Sequence, residues 1–231
     1  MSWDPLISIA SRLAIPVFIV GSFYTLQTLA NRGQRSKKAR LELVDPAAAG
    51  EKFALASAHS EWAEQNGFSW IGAYIYIASF NPRTVLCAWR RKEHLMVCYA
   101  SGGRTVTDFE TTYEADSALT TGSAAAAALY PVDTRDRKQA FPDVTMDELL
   151  VRHLDGDAFL RQRFGLRPLV HQDPFEQEFV RSVARTARRM SKVWLFPLRS
   201  FWWYATLKSR VNVPVSAQRV DPAFDPRRVV S

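Results

Sequence analysis

Four histidines, His59, His94, His153 and His171, have the widest chemical range in the chain, and none is spaced from another as metal ligands are. Neither HExxH nor CxxC occurs, so near neighbours form no helical zinc pair and no thiolate clamp. His153 precedes Asp155 and Asp157 on a helical pattern. There it reads as a surface or capping residue, with a general base as the rival. Thr120, Thr121 and Ser123 lie on a strand pattern without the G-x-S-x-G elbow that would expose a nucleophile. Gly102-Gly103-Arg104 reads as a hairpin turn rather than a phosphate loop, because no helix follows it. Asp108 and Glu110 alternate along one strand and read as its solvent side. No catalytic, metal or cofactor-binding set is assigned on this pattern, and no cofactor is expected.

The two cysteines, Cys87 and Cys98, fall opposite each other if the run VLCAWRRKEHLMVC turns at Lys92-Glu93. Such a pair closes a disulfide only in an oxidising compartment; in a reducing one it forms two small buried hydrophobes. The second reading is the one expected here.

The elements that would hold these residues follow from periodicity. Asp45-Pro46 opens a helical pattern in which Leu55, Ala58 and Trp62 share a face, and Asn66-Gly67 closes it. Then the period shortens. Trp70–Ala78, Thr84–Arg90, Leu95–Ala100, Arg104–Tyr113 and Ala118–Gly122 are strand-length runs separated by turn residues, including Asn81-Pro82. A loop passing Pro131 and Pro142 leads to a second helix, capped by Thr145, with Asp147 and Glu148 in its first turn. Leu149, Leu150, Leu154, Phe159 and Leu160 give it an apolar face, and Asp155-Gly156-Asp157 is expected to kink or interrupt it. The expected class is α+β: an antiparallel meander of about five strands covered by helices.

Within this region TDFETTYEADSALTTGS, followed by AFPDVTMDELLVRHLDGDAFL, resembles an uncharacterised family of bacterial membrane-anchored proteins. The resemblance covers about residues 105–160. It implies a bacterial source and carries no activity.

The ends of the chain are different in kind. Leu13–Ala30 holds no charge, and at 1.5 Å per residue it would be roughly 27 Å long, enough for a hydrocarbon core. Trp3 and Arg12 suit the interface at its start. A cleaved signal peptide ending at Thr28-Leu29-Ala30 is a rival, and the basic cluster directly after that site argues against it. That cluster is Arg32, Arg35, Lys37, Lys38 and Arg40, with no acid. The positive-inside rule places the chain from residue 31 onward in the cytoplasm, as a single-pass protein of the cell (inner) membrane.

Charge is segregated along the chain. Residues 41–165 carry 12 Lys/Arg against 17 Asp/Glu, and residues 166–231 carry 12 against 5. Bases beside the apolar ends fit anionic lipid headgroups better than a nucleic-acid groove. From Pro174 to Trp194, Phe175, Phe179, Val183, Ala187, Met190 and Trp194 form one helical stripe, opposite Arg181, Arg185, Arg188, Arg189 and Lys192. Pro197 interrupts, and Phe201, Trp202, Trp203 and Tyr204 follow. A basic amphipathic helix with a Trp/Tyr cluster reads as a membrane-interface element, and the rival is a stripe packed on the sheet.

The expected organisation is an anchor (1–30), a basic juxtamembrane linker (31–44), a cytoplasmic α+β domain (45–165), an interface segment (166–210) and an extended or disordered tail (211–231). The expected function is a membrane-anchored interaction or scaffolding module without catalytic activity, with a protein partner of unknown identity. The first alternative is a lipid- or small-ligand-sensing domain at the membrane surface, and the second is an enzyme with an unrecognised site. A pocket large enough for an acyl chain or nucleotide and lined by polar residues would favour the first alternative; a cleft joining His153 to a Ser, Thr or Cys would favour the second.

Overall fold

The computed structural model describes residues 21–22, 24–26, 28–79, 83–114, 117–129, 135–169, 174–193 and 196–218. The anchor as far as residue 20, the Asn81-Pro82 turn, His171, Trp194 and the tail from residue 219 lie outside the described residues. Residues 28–34 are helical. Among the described residues no helix is long and apolar enough to cross a membrane.

The fold is α+β, built on one seven-stranded sheet whose strands follow chain order. They are β1 (Arg40–Leu43), β2 (Ser69–Ile77), β3 (Thr84–Arg91), β4 (His94–Ser101), β5 (Arg104–Tyr113), β6 (Ser117–Gly122) and β7 (Asp136–Ala140). β1 to β6 pair antiparallel in sequence; β7 joins β6 in parallel. The expected meander is therefore present, and a strand has been added at each edge. β1, RLEL, lies inside the stretch read as a linker, and β7, DRKQA, inside the stretch read as a loop. Neither has an apolar run, because each presents one face to helices and sits at an edge.

The helices divide between the two faces. On the first lie α1 (Pro46–Ala56), α2 (Ser60–Gln65) and α3 (Met146–Phe164). α1 starts at Asp45, whose carboxylate accepts from the Ala47 amide, and kinks at Gly50, where φ is 54°. The one helix expected here is two, so the expected face is not kept: Ala58 is exposed, while Ala56 and Ala63 are buried. α3 has a capping box between Thr145 and Glu148 and ends at Gly165 in the left-handed conformation. It runs unbroken through Asp155-Gly156-Asp157, contrary to expectation. A Cβ on Gly156 would meet Gln139, Leu119 and Val215 at 3.0–3.3 Å, so this glycine brings the helix close to the sheet instead of ending it.

The other face carries α4 (Phe175–Ser191), followed by α5 (Phe196–Ala205), whose first turn contains Pro197. The apolar stripe of α4 packs on the sheet. The Phe175 ring lies 5.1 Å from Tyr74 and the Phe179 ring 5.6 Å from Tyr76, and Ala187 and Met190 are buried. The stripe is thus core, and an element lying in the interface with that face in lipid is not what the geometry gives. The tail as far as residue 218 is docked too: Val215 is buried, and its amide donates to the Gln139 side chain at 2.9 Å.

Candidate ligand cavity

The α4 helix crosses the sheet obliquely. Phe175 and Phe179 meet β2, Ser182 donates to Glu110 on β5 at 3.1 Å, and Arg189 pairs with Asp136 on β7 at 2.5 Å. Arg90 on β3 holds Glu178 at 2.8 Å. Beneath the helix is a cavity of about 360 Å³. Tyr76, Leu86 and Val97 from β2–β4 form its apolar half. Asp108, Glu110, Thr120, Asp136 and Lys138 from β5–β7 form its polar half. Phe179, Val183, Ala187 and Met190 roof it, and Ala30, Asn31 and Gln34 of the helical stretch 28–34 complete the wall. The volume is at the lower end of the range for small-molecule sites.

Asp108 and Glu110 do not line a solvent side, as their alternation along the strand suggests. Both face α4 and the cavity. The Tyr99 hydroxyl donates to Asp108 Oδ2 at 3.1 Å; Oδ1 is shielded from water and has no donor among the described residues. Burial pushes the Asp108 carboxyl up to about 6, and the Tyr99 bond and Lys138 only partly offset it. Burial also raises Glu110, against the pull of Arg185 and the Ser182 bond. The signal that could have found them is charge complementarity. A two-residue alternation of acids on a strand, with Arg185 and Arg189 four residues apart on a later helix, describes two faces that can pack together.

The four arginines of α4 and Lys192 at its C-cap therefore do not act as one face. Arg181, Arg188 and Lys192 are exposed, whereas Arg185, in reach of Ser182 at 3.3 Å, and Arg189 turn toward the sheet. In the aromatic cluster Trp202 and Tyr204 are 66% and 67% exposed, while Trp203 is buried, so Trp203 is core and not an interface residue. Arg32, Arg35, Lys37, Lys38 and Arg40 are all exposed, Arg40 with Glu42 at 2.6 Å.

His153 is neither a surface nor a capping residue: it is fully buried on the opposite face of the sheet. Gln139 Nε2 donates to Thr121 Oγ1 at 2.8 Å and to the Arg152 carbonyl at 2.9 Å. The amide's orientation is fixed by the Val215 amide on its oxygen. Thr121 Oγ1 lies 3.0 Å from His153 Nδ1 and Thr111 Oγ1 2.9 Å from His153 Nε2; with the ring proton on Nε2, Thr121 donates to Nδ1 and Nε2 donates to Thr111. Thr111 in turn donates to His94 Nδ1 at 2.8 Å. Each hydroxyl thus has both a donor and an acceptor, which is how a buried polar chain is stabilised. Burial lowers His153 to about 3, so it stays neutral, and no cleft opens on it.

Cys87 and Cys98 are register partners, fully buried and free, and burial pushes both thiols up to about 12. They behave as the small hydrophobes expected. Among the described residues no group of three or more His, Cys, Asp or Glu could hold a metal ion. Comparison of the chain with family models, with curated proteins and with solved structures finds no match.

Proposed function

We propose that this chain is a small-ligand-binding module that senses its ligand at a membrane surface. The observation that carries the reading is the cavity of about 360 Å³, apolar at one end and ionisable at the other. A buried polar wall costs stability unless something satisfies it, so such a cavity favours ligand binding over a purely scaffolding role. Membrane placement is supported by the charge-free run Leu13–Ala30 and by the five exposed bases after it.

The test is occupancy. In ligand-observed NMR on the full chain, 1-hexanol is expected to bind, and Ala187→Phe, which fills the roof of the cavity, is expected to abolish that binding while the fold persists. Hexanol binding unchanged by Ala187→Phe would contradict the reading.

A further inference from the structure

We infer that β1 is a docking edge for a second copy of this chain, the two strands pairing antiparallel about a twofold axis at Leu41. The two edges of the sheet are treated differently. Along β7 the segment 212–218 closes the edge: the Asn212 amide donates to the Ala140 carbonyl and the Gln218 side chain to the Lys138 carbonyl, both at 2.8 Å. At the β1 edge the Val44 amide donates to the Ala73 carbonyl at 3.1 Å. The alternation of an antiparallel ladder then turns the amides and carbonyls of Leu41 and Leu43 away from β2. Among the described residues nothing bonds them. An edge of this kind is a template for another strand.

A short charged strand is one way to blunt an edge, but two features of β1 run against that. Leu43 is 72% exposed, on the same face of the strand as the buried Leu41. The charges, moreover, are self-complementary in one register. Centred on Leu41, the pairing sets Arg40 directly opposite Glu42 of the second copy, and does so twice by symmetry. Leu41 exchanges backbone bonds with Leu41 of the second copy, and Leu43 lies diagonally against it. Centring on Glu42 would oppose the two glutamates, and centring on Arg40 the two arginines, both unfavourable. Within one chain Arg40 already meets Glu42 at 2.6 Å, so the dimer completes a four-charge cluster of alternating sign. The edge is independent of the cavity, and no ligand is needed to close it.

Sedimentation equilibrium of the full chain in a density-matched detergent reads the assembly directly. A mass of twice the 26.2 kDa of one chain is expected. Arg40→Glu and Glu42→Arg, each alone, oppose like charges across the twofold and are expected to weaken the dimer about tenfold or more. The two together again oppose unlike charges and are expected to restore it, which also shows that the substitutions leave the fold intact. Both side chains are exposed, so neither change reaches the core. A single-chain mass at every concentration overturns the proposal, and so does a double variant as weak as the single ones. A dimer equally tight in all four proteins also overturns it, and places the contact elsewhere, for instance between the N-terminal apolar runs.

Discussion

Asp108 and His153 pull stability in opposite directions with pH. Asp108 holds its proton more tightly folded than unfolded, because its carboxyl is raised from 3.8 to about 6. Between those values the native state carries more protons, so stability falls as pH rises, by on the order of 3 kcal/mol once the carboxylate is ionised. His153 is lowered from 6.5 to about 3, so there the unfolded state protonates first and stability falls as pH drops. The groups facing Asp108 are Tyr99 from β4, Glu110 from its own strand and Lys138 from β7; α4 brings Arg185 against Glu110. Asp108→Asn is therefore expected to raise Tm at pH 7.5 and to change it little at pH 4. It also leaves the histidine effect unopposed, so the variant should lose stability more steeply on acidification. Thermal melts across pH check this, and a variant less stable than the parent at pH 7.5 would contradict it. The sequence showed the residues but not their roles. His153 looks like a surface residue beside Asp155 and Asp157, and only the pairing of β5, β6 and β7 brings Thr111, Thr121 and Gln139 around its ring.

At the scale of elements, what was legible followed strong local periodicity. The five apolar strands fall within a residue or so of their expected limits, and α3 begins at its capping box. β1 and β7 were not legible, because their pairing comes from neighbouring edges rather than from their own composition. The amphipathic period of α4 was plain, but a period does not say what the stripe faces; Tyr74 and Tyr76 decide that. Any membrane contact made by α4 and the segment after it must then use their exposed bases and aromatics. Changing Arg32, Arg35, Lys37, Lys38, Arg181, Arg188 and Lys192 together to Gln is expected to abolish salt-sensitive preference for anionic over neutral vesicles, at about 1 kcal/mol per base. Arg185 and Arg189 are excluded from that set. Asp136 is buried, and removing its arginine would leave an unanswered charge costing about 3–5 kcal/mol. Sedimentation with vesicles reads the result, and an undiminished anionic preference would show that these bases do not face lipid.

The whole molecule is a sheet with a different interior on each side. On the α1–α3 face Trp89, Phe109 and Leu149 are buried in one cluster, and the His153 chain ties β4 to β7 and to the segment ending at residue 218. The α4 face is open by about 360 Å³, and the helical stretch 28–34 forms part of the wall of that opening. Occupancy would therefore be felt both by α4 and by the chain leading from the N-terminal apolar run, a physical link between the cavity and that run. Hydrogen exchange of the full chain with and without saturating 1-hexanol tests this most directly. Slower exchange is expected in residues 28–34, in Phe175–Ser191 and in the β5 and β7 amides beside Asp108 and Lys138, with no change in Met146–Phe164. Protection confined to α3 and its histidine chain, or none anywhere while 1-hexanol is shown to be bound, would contradict the account.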